Sequence, residues 1–416
     1  MYRIKNTVRA YAWGSATAIS QLLGTPASGG PEAEMWIGAH PDSPSTVVLP
    51  DGGSQGLDAL LAEDPTHHLG EASIAAFGDR LPFLMKVLAA ETPLSLQVHP
   101  SLEQAREGFA REEATGVDRG APERNYKDNN HKPEMIFALT DFEALCGFRS
   151  PAASAAIFSH VRTELAAMGA KVPGLLDEVI GDLAGADEAV ALRSAFTRLI
   201  TGGDRSAALV GTVVAALTAD LPRGQFGREL DTAKMLDSHY PGDPGVLISL
   251  LLNRVSLRPG ESVYLPAGNV HAYLHGLGIE VMAASDNVLR GGLTPKFVDV
   301  PELLRTVKFE AVGVPMLAAE ESFLAAELYR PPFEEFALQL LELPAADSTL
   351  ALEQAGAAVI LVASGALILD SPKGSLRLER GESAFVPNSD APVNIHSVAP
   401  DGGTTVAFAV TTGLGN

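Results

Sequence analysis

A mainly β protein with an α-helical domain is the fold class that the sequence predicts. Short apolar segments separated by Gly, Pro, Asp and Asn run through residues 1–150, which is typical of strands and turns. Residues 151–240 are instead rich in Ala and Leu, with apolar residues three and four positions apart, a spacing that predicts helices. Strand-like segments resume with "VLISLLLNRVSLRPGESVYLP" at residue 246. The helices are therefore predicted to be an insertion into a β domain or to lie beside it.

The length of 416 residues is too great for one compact core and predicts two or three domains. We expect a first β-barrel built from residues 1–150 and 241–311, a helical domain at 151–240, and a second barrel at 312–416. The segment "YPGDPG" at 240–245 ends the helical block, because Pro and Gly interrupt helices. Alternating apolar residues and regular turns predict a barrel or a sandwich for the last domain.

Two stretches align without gaps and indicate a duplication, "RPGESVYLPAGNVHAYL" and "ERGESAFVPNSDAPVNI". Both contain G-E-S-x-x-x-P, which begins at Gly260 in the first and at Gly381 in the second. A turn glycine, a strand and a strand-ending proline recur in order, so two related barrels are predicted. The first stretch also fits G-x5-P-x-G-x2-H, ending at His271, and so resembles the second motif of the cupin family, small jelly-roll barrels with a metal in the mouth. The second has Pro392 in place of that histidine, so its barrel is predicted to be degenerate and metal-free.

The charge balance limits the classes of partner. Lys and Arg number 30 against 51 Asp and Glu, a net charge of -21, which disfavours binding to nucleic acid and to anionic membranes. A site for an anion must then overcome the field of the protein, so clustered basic residues become informative. The single cysteine, Cys146, permits no internal disulfide, and no stretch approaches the roughly 20 apolar residues of a membrane span. We expect a soluble cytoplasmic protein.

The stretch "LSLQVHP" at residues 94–100 is predicted to be a strand with one polar face. Successive side chains of a strand alternate, so Ser95, Gln97 and His99 share one side, while leucines and a valine occupy the other. A glutamine alone is more often a core amide, and a lone histidine is usually structural or exposed. The Q-x-H spacing, taken with His271 of the cupin-like stretch, indicates a metal site.

A fourth ligand is offered by "NNHKPEMIFAL", where Glu134 begins an apolar strand. His131 lies nearby, but Glu134 is the better candidate. Two imidazole nitrogens, a carboxylate oxygen and an amide oxygen suit Zn²⁺ and leave room for a water or a substrate oxygen. The predicted set is therefore Gln97, His99, Glu134 and His271, with one Zn²⁺ per chain.

Several segments together resemble the type I mannose-6-phosphate isomerase (phosphomannose isomerase) family over essentially the whole chain. They are "YAWGS" at 11–15, "AEMWIGAHPDSPS" at 33–45, "LPFLMKVLAAETPLSLQVHP" at 81–100, "HKPEM" at 131–135, "YLPAGNVHAYL" at 264–274 and "EVMAASDNVLRGGLTPKFVDV" at 280–300. The resemblance implies a zinc-dependent interconversion of mannose 6-phosphate and fructose 6-phosphate through an enediol. It also implies the same four zinc ligands and a catalytic arginine at Arg290. One departure is Ala12, where many relatives carry aspartate; that position supplies no metal ligand.

The remaining candidates follow from the chemistry of that reaction. Four basic residues near the ligand segments suggest an anion site in a chain that has few of them: Lys86, Lys132, Arg290 and Lys296. Arg290 could hold substrate oxygens with its planar fork, while Lys86 and Lys296 could meet the phosphate. Ser95 would add a hydroxyl for the substrate.

The group that moves the proton is left open by the sequence. Lys132, Glu280 and Asp286 are the candidates, because a carboxylate or a lysine near a metal can have its pKa tuned. Each also has a simpler explanation, since Asp286 could form a turn and Glu280 could pair with a lysine.

Two other functions fit parts of the pattern. A cupin-like protein that binds a sugar phosphate, or regulates, without turnover would predict loss of Arg290 or of the acid–base candidates, yet all are present. A metal-dependent oxygenase would favour more histidine ligands to iron. We expect the partner to be a small sugar phosphate, with no nucleic acid and no membrane, and we expect a monomer.

Overall fold

The computed structural model describes residues 1–321, 326–344, 348–398 and 403–415. The last predicted domain, 312–416, therefore lies partly outside the described residues.

Strands account for most of the regular elements. They are β1 Tyr2–Lys5, β2 Thr7–Arg9, β3 Glu34–Ile37, β4 Thr46–Val48, β5 Ser54–Gly56, β6 Phe83–Ala90, β7 Gln97–Val98, β8 Glu134–Ala138, β9 Phe142–Phe148, β10 Leu252–Leu257, β11 Ser262–Leu265, β12 His271–Ala283, β13 Leu289–Arg290, β14 Met316–Leu317, β15 Glu320–Glu321, β16 Glu327–Tyr329, β17 Ala337–Leu343, β18 Thr349–Ala351, β19 Ala358–Ser364, β20 Ala366–Ser371, β21 Gly374–Glu379, β22 Ser383–Val386, β23 Asn394–Ser397 and β24 Thr405–Thr411.

The helices are α1 Ala18–Leu23, α2 Leu57–Glu63, α3 Pro65–Leu69, α4 Glu71–Phe77, α5 Leu102–Thr115, α6 Pro151–Ala167, α7 Gly174–Leu183, α8 Glu188–Thr201, α9 Asp204–Thr218, α10 Gly227–His239, α11 Gly245–Ile248 and α12 Val300–Thr306. Short 3₁₀ turns cover Gly224–Phe226, Ser249–Leu251 and Asn388–Asp390. The predicted mainly β class with helices is confirmed. Among the described helices, none has both the length and the apolar character needed to cross a membrane.

The strands form three antiparallel sheets. One has the order β15-β16-β17-β24-β19-β22-β1-β4-β5, a second has the order β14-β11-β8-β12-β6-β3-β2 with β7, β9, β10 and β13 attached through β12, and a third has the order β18-β23-β20-β21. The two large sheets pack face to face over a continuous apolar core. Each order has two ends, so the described strands form open sheets rather than closed rings.

The long strand β12 belongs to two walls of the second sheet. Its first residues pair with β7 and β9, whereas residues 276–283 pair with β6 on one side. Residues 278–282 pair with β8 on the other side. Because β12 turns from one wall into the other, residues at its start and residues near its end face one enclosed space.

Alternation along β6 and β12 separates apolar from charged side chains. Met85, Val87 and Ile279 belong to the core between the two large sheets. Lys86 and Glu280, which lie on the opposite face of the same strands, line a cavity. This is the strand periodicity that places a polar site on one side of a buried sheet.

The helical block lies between β9 and β10. Ser150 caps α6, since its side chain accepts a hydrogen bond from the amide of Ala153, and Pro151 occupies the first helical position. The helices share one apolar core with Leu96 and Val98, which are fully buried. Leu96 and Val98 of the face predicted for "LSLQVHP" thus pack against the helices, whereas Leu94 of that face lines the cavity with Gln97, because the regular strand is limited to Gln97–Val98.

The first strand of the chain, β1, lies between β22 and β4 in the first of the large sheets. Tyr2 pairs with Phe385, and Ile4 pairs with Val47 on the other side. Residues that the sequence assigns to the first and last domains therefore share one sheet. The predicted domain boundaries stay a prediction.

The two copies of the repeat have the same local geometry. Gly260 and Gly381 both have a positive φ, 92° and 83°, which glycine adopts without strain. In each copy the following Glu amide donates to the carbonyl three residues back, from Glu261 to Arg258 and from Glu382 to Glu379. A strand follows each turn, as the repeat predicts.

Candidate metal centre

Three predicted ligands from separate segments meet in the interior. Oε2 of Glu134 lies 3.3 Å from Nε2 of His99 and 3.3 Å from Nε2 of His271. All three side chains are buried, and one ligand atom from each lies within 4.8 Å of the others. The three residues thus offer two nitrogens and an oxygen to one ion.

Both histidines are held in the same tautomer by backbone carbonyls. Nδ1 of His99 lies 2.8 Å from the carbonyl oxygen of Asn287, and Nδ1 of His271 lies 3.1 Å from that of Asn269. A carbonyl can only accept, so each Nδ1 carries the hydrogen and each Nε2 presents a lone pair to Glu134. Nε2 of His99 is buried and has no hydrogen-bond partner among the described residues. Such an orphaned lone pair fits a metal ligand.

The electrostatics keep each ligand in the form that binds a cation. Burial lowers the pKa of His99 to about 4, so its ring is neutral at physiological pH. Burial raises the pKa of Glu134, but the ammonium of Lys132, 3.0 Å from Oε1, opposes burial, and the pKa lies well below its usual range. The carboxylate is therefore ionised.

Strand pairing explains why these segments converge. Glu134 begins β8 and His271 begins β12, and the register pairs His271 with Gln97 of β7. On its other side Gln97 pairs with Arg290 of β13. Gln97 lines the same cavity as Glu134 and His271, and its Nε2 donates to Ser95 at 3.5 Å, which leaves Oε1 free to act as a ligand.

A second charged group lines the cavity beside the ligands. Nζ of Lys86 lies 2.9 Å from Oε2 of Glu280 and 3.7 Å from Oε1 of Glu34. The indole of Trp36 donates to Glu34 at 2.7 Å, and its ring lies 5.2 Å from the Lys86 ammonium. Burial lowers the pKa of Lys86, but the carboxylates of Glu280, Glu34 and Glu134 raise that pKa by more than burial lowers it. The lysine therefore stays charged.

Glu280 differs from Glu134 in its titration. Burial raises the pKa of Glu280, and the neighbouring carboxylates of Glu134 and Glu34 add to that effect, while Lys86 opposes it. A carboxyl whose pKa is raised inside a cavity is suited to accept and release a proton. Tyr273 also lines the cavity, with a buried hydroxyl that lacks a hydrogen-bond partner in the described structure.

Basic side chains cluster around Arg290. Burial lowers the pKa of Arg290, and the pKa of Lys296 is lowered by burial and by the charges of Arg290 and Lys127. Within the part of the chain that is described, none of these three side chains pairs with a carboxylate. Unpaired, partly buried cations in an acidic protein form a place for an anion.

The other sequence candidates are engaged elsewhere. The carboxylate of Asp286 lies 3.2 Å from Nε2 of His40 and 3.2 Å from the guanidinium of Arg119, and is absent from the lining of the cavity. Lys132 lines the cavity, and its ammonium pairs with the ligand Glu134. The catalytic and substrate-binding roles assigned from sequence stay predictions.

The comparisons with known proteins match both the site and the fold. A family model described as phosphomannose isomerase type I, catalytic domain, matches residues 1–151. The mannose-6-phosphate isomerase of Escherichia coli (strain K12) is 40% identical over 399 residues, which cover 95% of this chain and 97% of the relative. That of Homo sapiens is 31% identical and covers 93% of each chain.

The chain belongs to the mannose-6-phosphate isomerase family. A crystal structure of a phosphomannose isomerase mutant from Salmonella typhimurium superposes with a TM-score of 0.87, 37% identity and full coverage of both chains. A crystal structure of a mannose 6-phosphate isomerase described as holo and zinc-bound has a TM-score of 0.86, 37% identity and 99% coverage of both. The family resemblance predicted from sequence is confirmed.

Two residues that line the cavity, Glu34 and Tyr273, were missed by the sequence reasoning, and so was Lys127 of the basic cluster. Glu34 and Trp36 alternate in "EMWI", so a shared polar face was there to be found. Tyr273 follows His271 by two positions on one strand and could have been found in the same way. Lys127 lies in an irregular segment, where no periodicity indicates its direction.

Proposed function

We propose that this chain is a zinc-dependent aldose–ketose isomerase that interconverts mannose 6-phosphate and fructose 6-phosphate through an enediol. The observation that carries the proposal is the presence of the His99–Glu134–His271 group and the Lys86–Glu280 pair around one buried cavity. Membership of an isomerase family favours turnover over the alternative of a protein that only binds a sugar phosphate or regulates.

We propose one Zn²⁺ per chain, held by Gln97, His99, Glu134 and His271. The donor set is borderline-hard and the histidine tautomers are already fixed, which suits this ion. When bound, Zn²⁺ would supply Lewis acidity that polarises the sugar carbonyl and stabilises negative charge on its oxygen.

Glu280 is the group that we propose to move the proton. It would take the proton from C2 of open-chain mannose 6-phosphate, leaving an enediol after O1 is protonated. Return of the proton to C1, with loss of the proton on O2, gives fructose 6-phosphate. The raised pKa of Glu280 favours proton uptake, and the ammonium of Lys86 at 2.9 Å would stabilise the carboxylate before it takes the proton and after it returns the proton.

The two other candidates are less suited to this task, because Lys132 pairs with a proposed metal ligand and Asp286 is not among the residues that line the cavity. Lys132 neutralises the ligand Glu134, and Asp286 pairs with His40 and Arg119.

The phosphate is proposed to bind the basic cluster. Arg290 and Lys296 would contact it, and Lys127 is added to the predicted set because its charge acts on Lys296. Arg290 neighbours Gln97 in the β7–β13 pairing, so one arm of its guanidinium could reach substrate oxygens nearer the ligands. Ser95, a hydrogen-bond partner of Gln97, would contact the sugar.

The finer architecture is proposed on the same footing. Two cupin-like barrels, of which the second carries no metal, would account for the matching turns at Gly260 and Gly381. The domain limits are proposed as in the sequence analysis: 1–150 with 241–311, then 151–240, then 312–416. We further propose a monomer that resides in the cytoplasm.

Isomerisation in D₂O tests both the reaction and its intermediate. With mannose 6-phosphate as substrate, formation of fructose 6-phosphate in a coupled assay is expected, with deuterium at C1 because the proton on Glu280 exchanges with solvent. Absence of turnover in the zinc-loaded protein would contradict the proposed function.

A further inference from the structure

The carbonyl that orients the ligand His99 comes from a segment outside any strand. Asn287 lies between the end of β12 and the start of β13, and its carbonyl oxygen accepts from Nδ1 of His99 at 2.8 Å. Strand hydrogen bonds do not hold it in place. Something else must therefore hold that carbonyl still if the lone pair of His99 is to point at the ion.

The side chain of Asn287 does so by bonding to one short segment of backbone. Its Oδ1 accepts from the amides of Lys127 at 2.7 Å and Asp128 at 3.2 Å. Its Nδ2 donates to the carbonyls of Asp128 and Asn130, each at 2.8 Å. Asn287 is fully buried, so these bonds replace the hydrogen bonds that its side-chain amide would make to water. Moving the side chain would leave buried polar atoms without partners, which costs free energy.

Asp128 in turn accepts hydrogen bonds from the segment that carries Asn287. Its Oδ1 accepts from the hydroxyl of Ser285 at 2.8 Å, and its Oδ2 accepts from the amide of Asp286 at 2.8 Å. We call Asp128 and Asn287, with the bonds that each makes to the other's segment, the 128–287 clamp. The clamped segment 127–130 leads within four residues to Glu134, so both His99 and Glu134 are anchored from it.

We propose that Asn287 is a positioning residue for the metal: its side-chain amide fixes the carbonyl that sets the tautomer and direction of His99. This inference rests on the proposed ligation of Zn²⁺ by His99. Partners that orient a ligating histidine commonly change metal affinity by about 10–100-fold when they are removed. The clamp should therefore affect zinc affinity more than it affects folding.

Asn253 offers a matched control in the same wall. Its Nδ2 donates to four backbone carbonyls, those of Cys146, Gly147, Phe148 and Val312, at 3.1–3.3 Å. It has the same chemistry as Asn287 but contacts no ligand. Asn287→Ala and Asn253→Ala thus each remove a side-chain amide that bonds to backbone carbonyls, from a buried and a half-buried position respectively.

The test is a zinc competition titration of the metal-free full-length protein against a chromophoric chelator, with thermal unfolding of the same metal-free samples. Asn287→Ala is expected to weaken zinc binding by about 10–100-fold, whereas Asn253→Ala should leave the zinc Kd at the wild-type value. Co²⁺ bound to Asn287→Ala should also show shifted d–d absorption bands, because the geometry at His99 has changed.

A second variant covers the case in which Asn287→Ala does not fold. Asp128→Asn keeps one acceptor oxygen and loses the other, so its zinc affinity should fall by a smaller factor. Unchanged zinc Kd in a folded Asn287→Ala or Asp128→Asn protein, or equal loss in Asn253→Ala, would overturn the inference while leaving the proposed function standing. Wild-type protein that binds no zinc would overturn both.

Discussion

Lys86 and Glu280 lie directly opposite each other in the β6–β12 pairing, with 2.9 Å between Nζ and Oε2, and both side chains are buried. Opposite charges at facing positions of neighbouring strands account for the pair locally. Its location on the wall of the cavity that holds His271 and Glu134 is the reason that we propose a catalytic role for it.

Glu280→Gln should lower kcat by at least about 10²-fold, the range for a lost general base, with zinc content and KM little changed. Glutamine keeps the shape of the side chain, and Lys86 retains Glu34 at 3.7 Å, so folding should be preserved. Steady-state kinetics, zinc analysis and circular dichroism check this. Glu261→Gln, at the exposed turn before β11, is the control. A kcat near wild type would remove Glu280 from the proton transfer.

His271→Ala should lose the metal. His275, four residues further along β12, is exposed, so His275→Ala is a control on the same strand. Zinc analysis of the wild type and of His275→Ala should give about one equivalent per chain, as expected for a single ligand set. A stoichiometry near two would contradict the proposal of one Zn²⁺ per chain.

Arg290→Ala should fold, retain zinc and lose about 10²-fold or more in kcat, as expected for a lost electrostatic contact in the transition state. Lys296→Ala should instead raise KM, because Lys296 is proposed to meet the phosphate. Lys171→Ala, in an exposed loop of the helical block, controls for loss of a positive charge. Unchanged kinetics in both site variants would remove the basic cluster from substrate binding.

The paired Asp286 should contribute stability that depends on pH. Burial raises its pKa, but the hydrogen bond and charge of His40 and the nearby lysines outweigh that and lower it from 3.8 to about 2. Because the folded-state pKa is depressed, the contribution is complete above the unfolded pKa near 4 and is lost as the pH falls towards 2; its size is about 2 kcal/mol.

Asp286→Asn should therefore lower the free energy of unfolding at pH 7, and its difference from wild type should shrink between pH 4 and pH 2. Denaturant unfolding of metal-free protein avoids the effect of zinc release in acid. Asp42→Asn is the control, since Asp42 is exposed and lies 3.9 Å from Arg119. A difference that stays constant over this pH range would contradict the assignment.

The sequence could predict most of the proposed ligands, but not the strand pairing that brings the other residues of the site to them. Q-x-H spacing and the G-x2-H pattern identify Gln97, His99 and His271 because ligand spacing is local. Pairing of Trp36 with Lys86, which brings Glu34 into the cavity, joins strands fifty residues apart by number and has no local signal.

The fold could likewise be predicted only where local sequence patterns determine it. Strand and helix textures follow from periodicity, whereas the pairing of Tyr2 with Phe385 depends on contacts between opposite ends of the chain. The backbone amide of Lys127 donates to the side chain of Asn287 in the clamp. No periodicity in the sequence indicates this long-range contact.

The most direct test of the account is the isomerase activity of the purified chain as zinc is removed and restored. Activity on mannose 6-phosphate should disappear when a chelator removes the metal, and it should return in proportion to added Zn²⁺ until about one equivalent is bound. Full turnover of mannose 6-phosphate by protein shown to be metal-free would contradict the central claim.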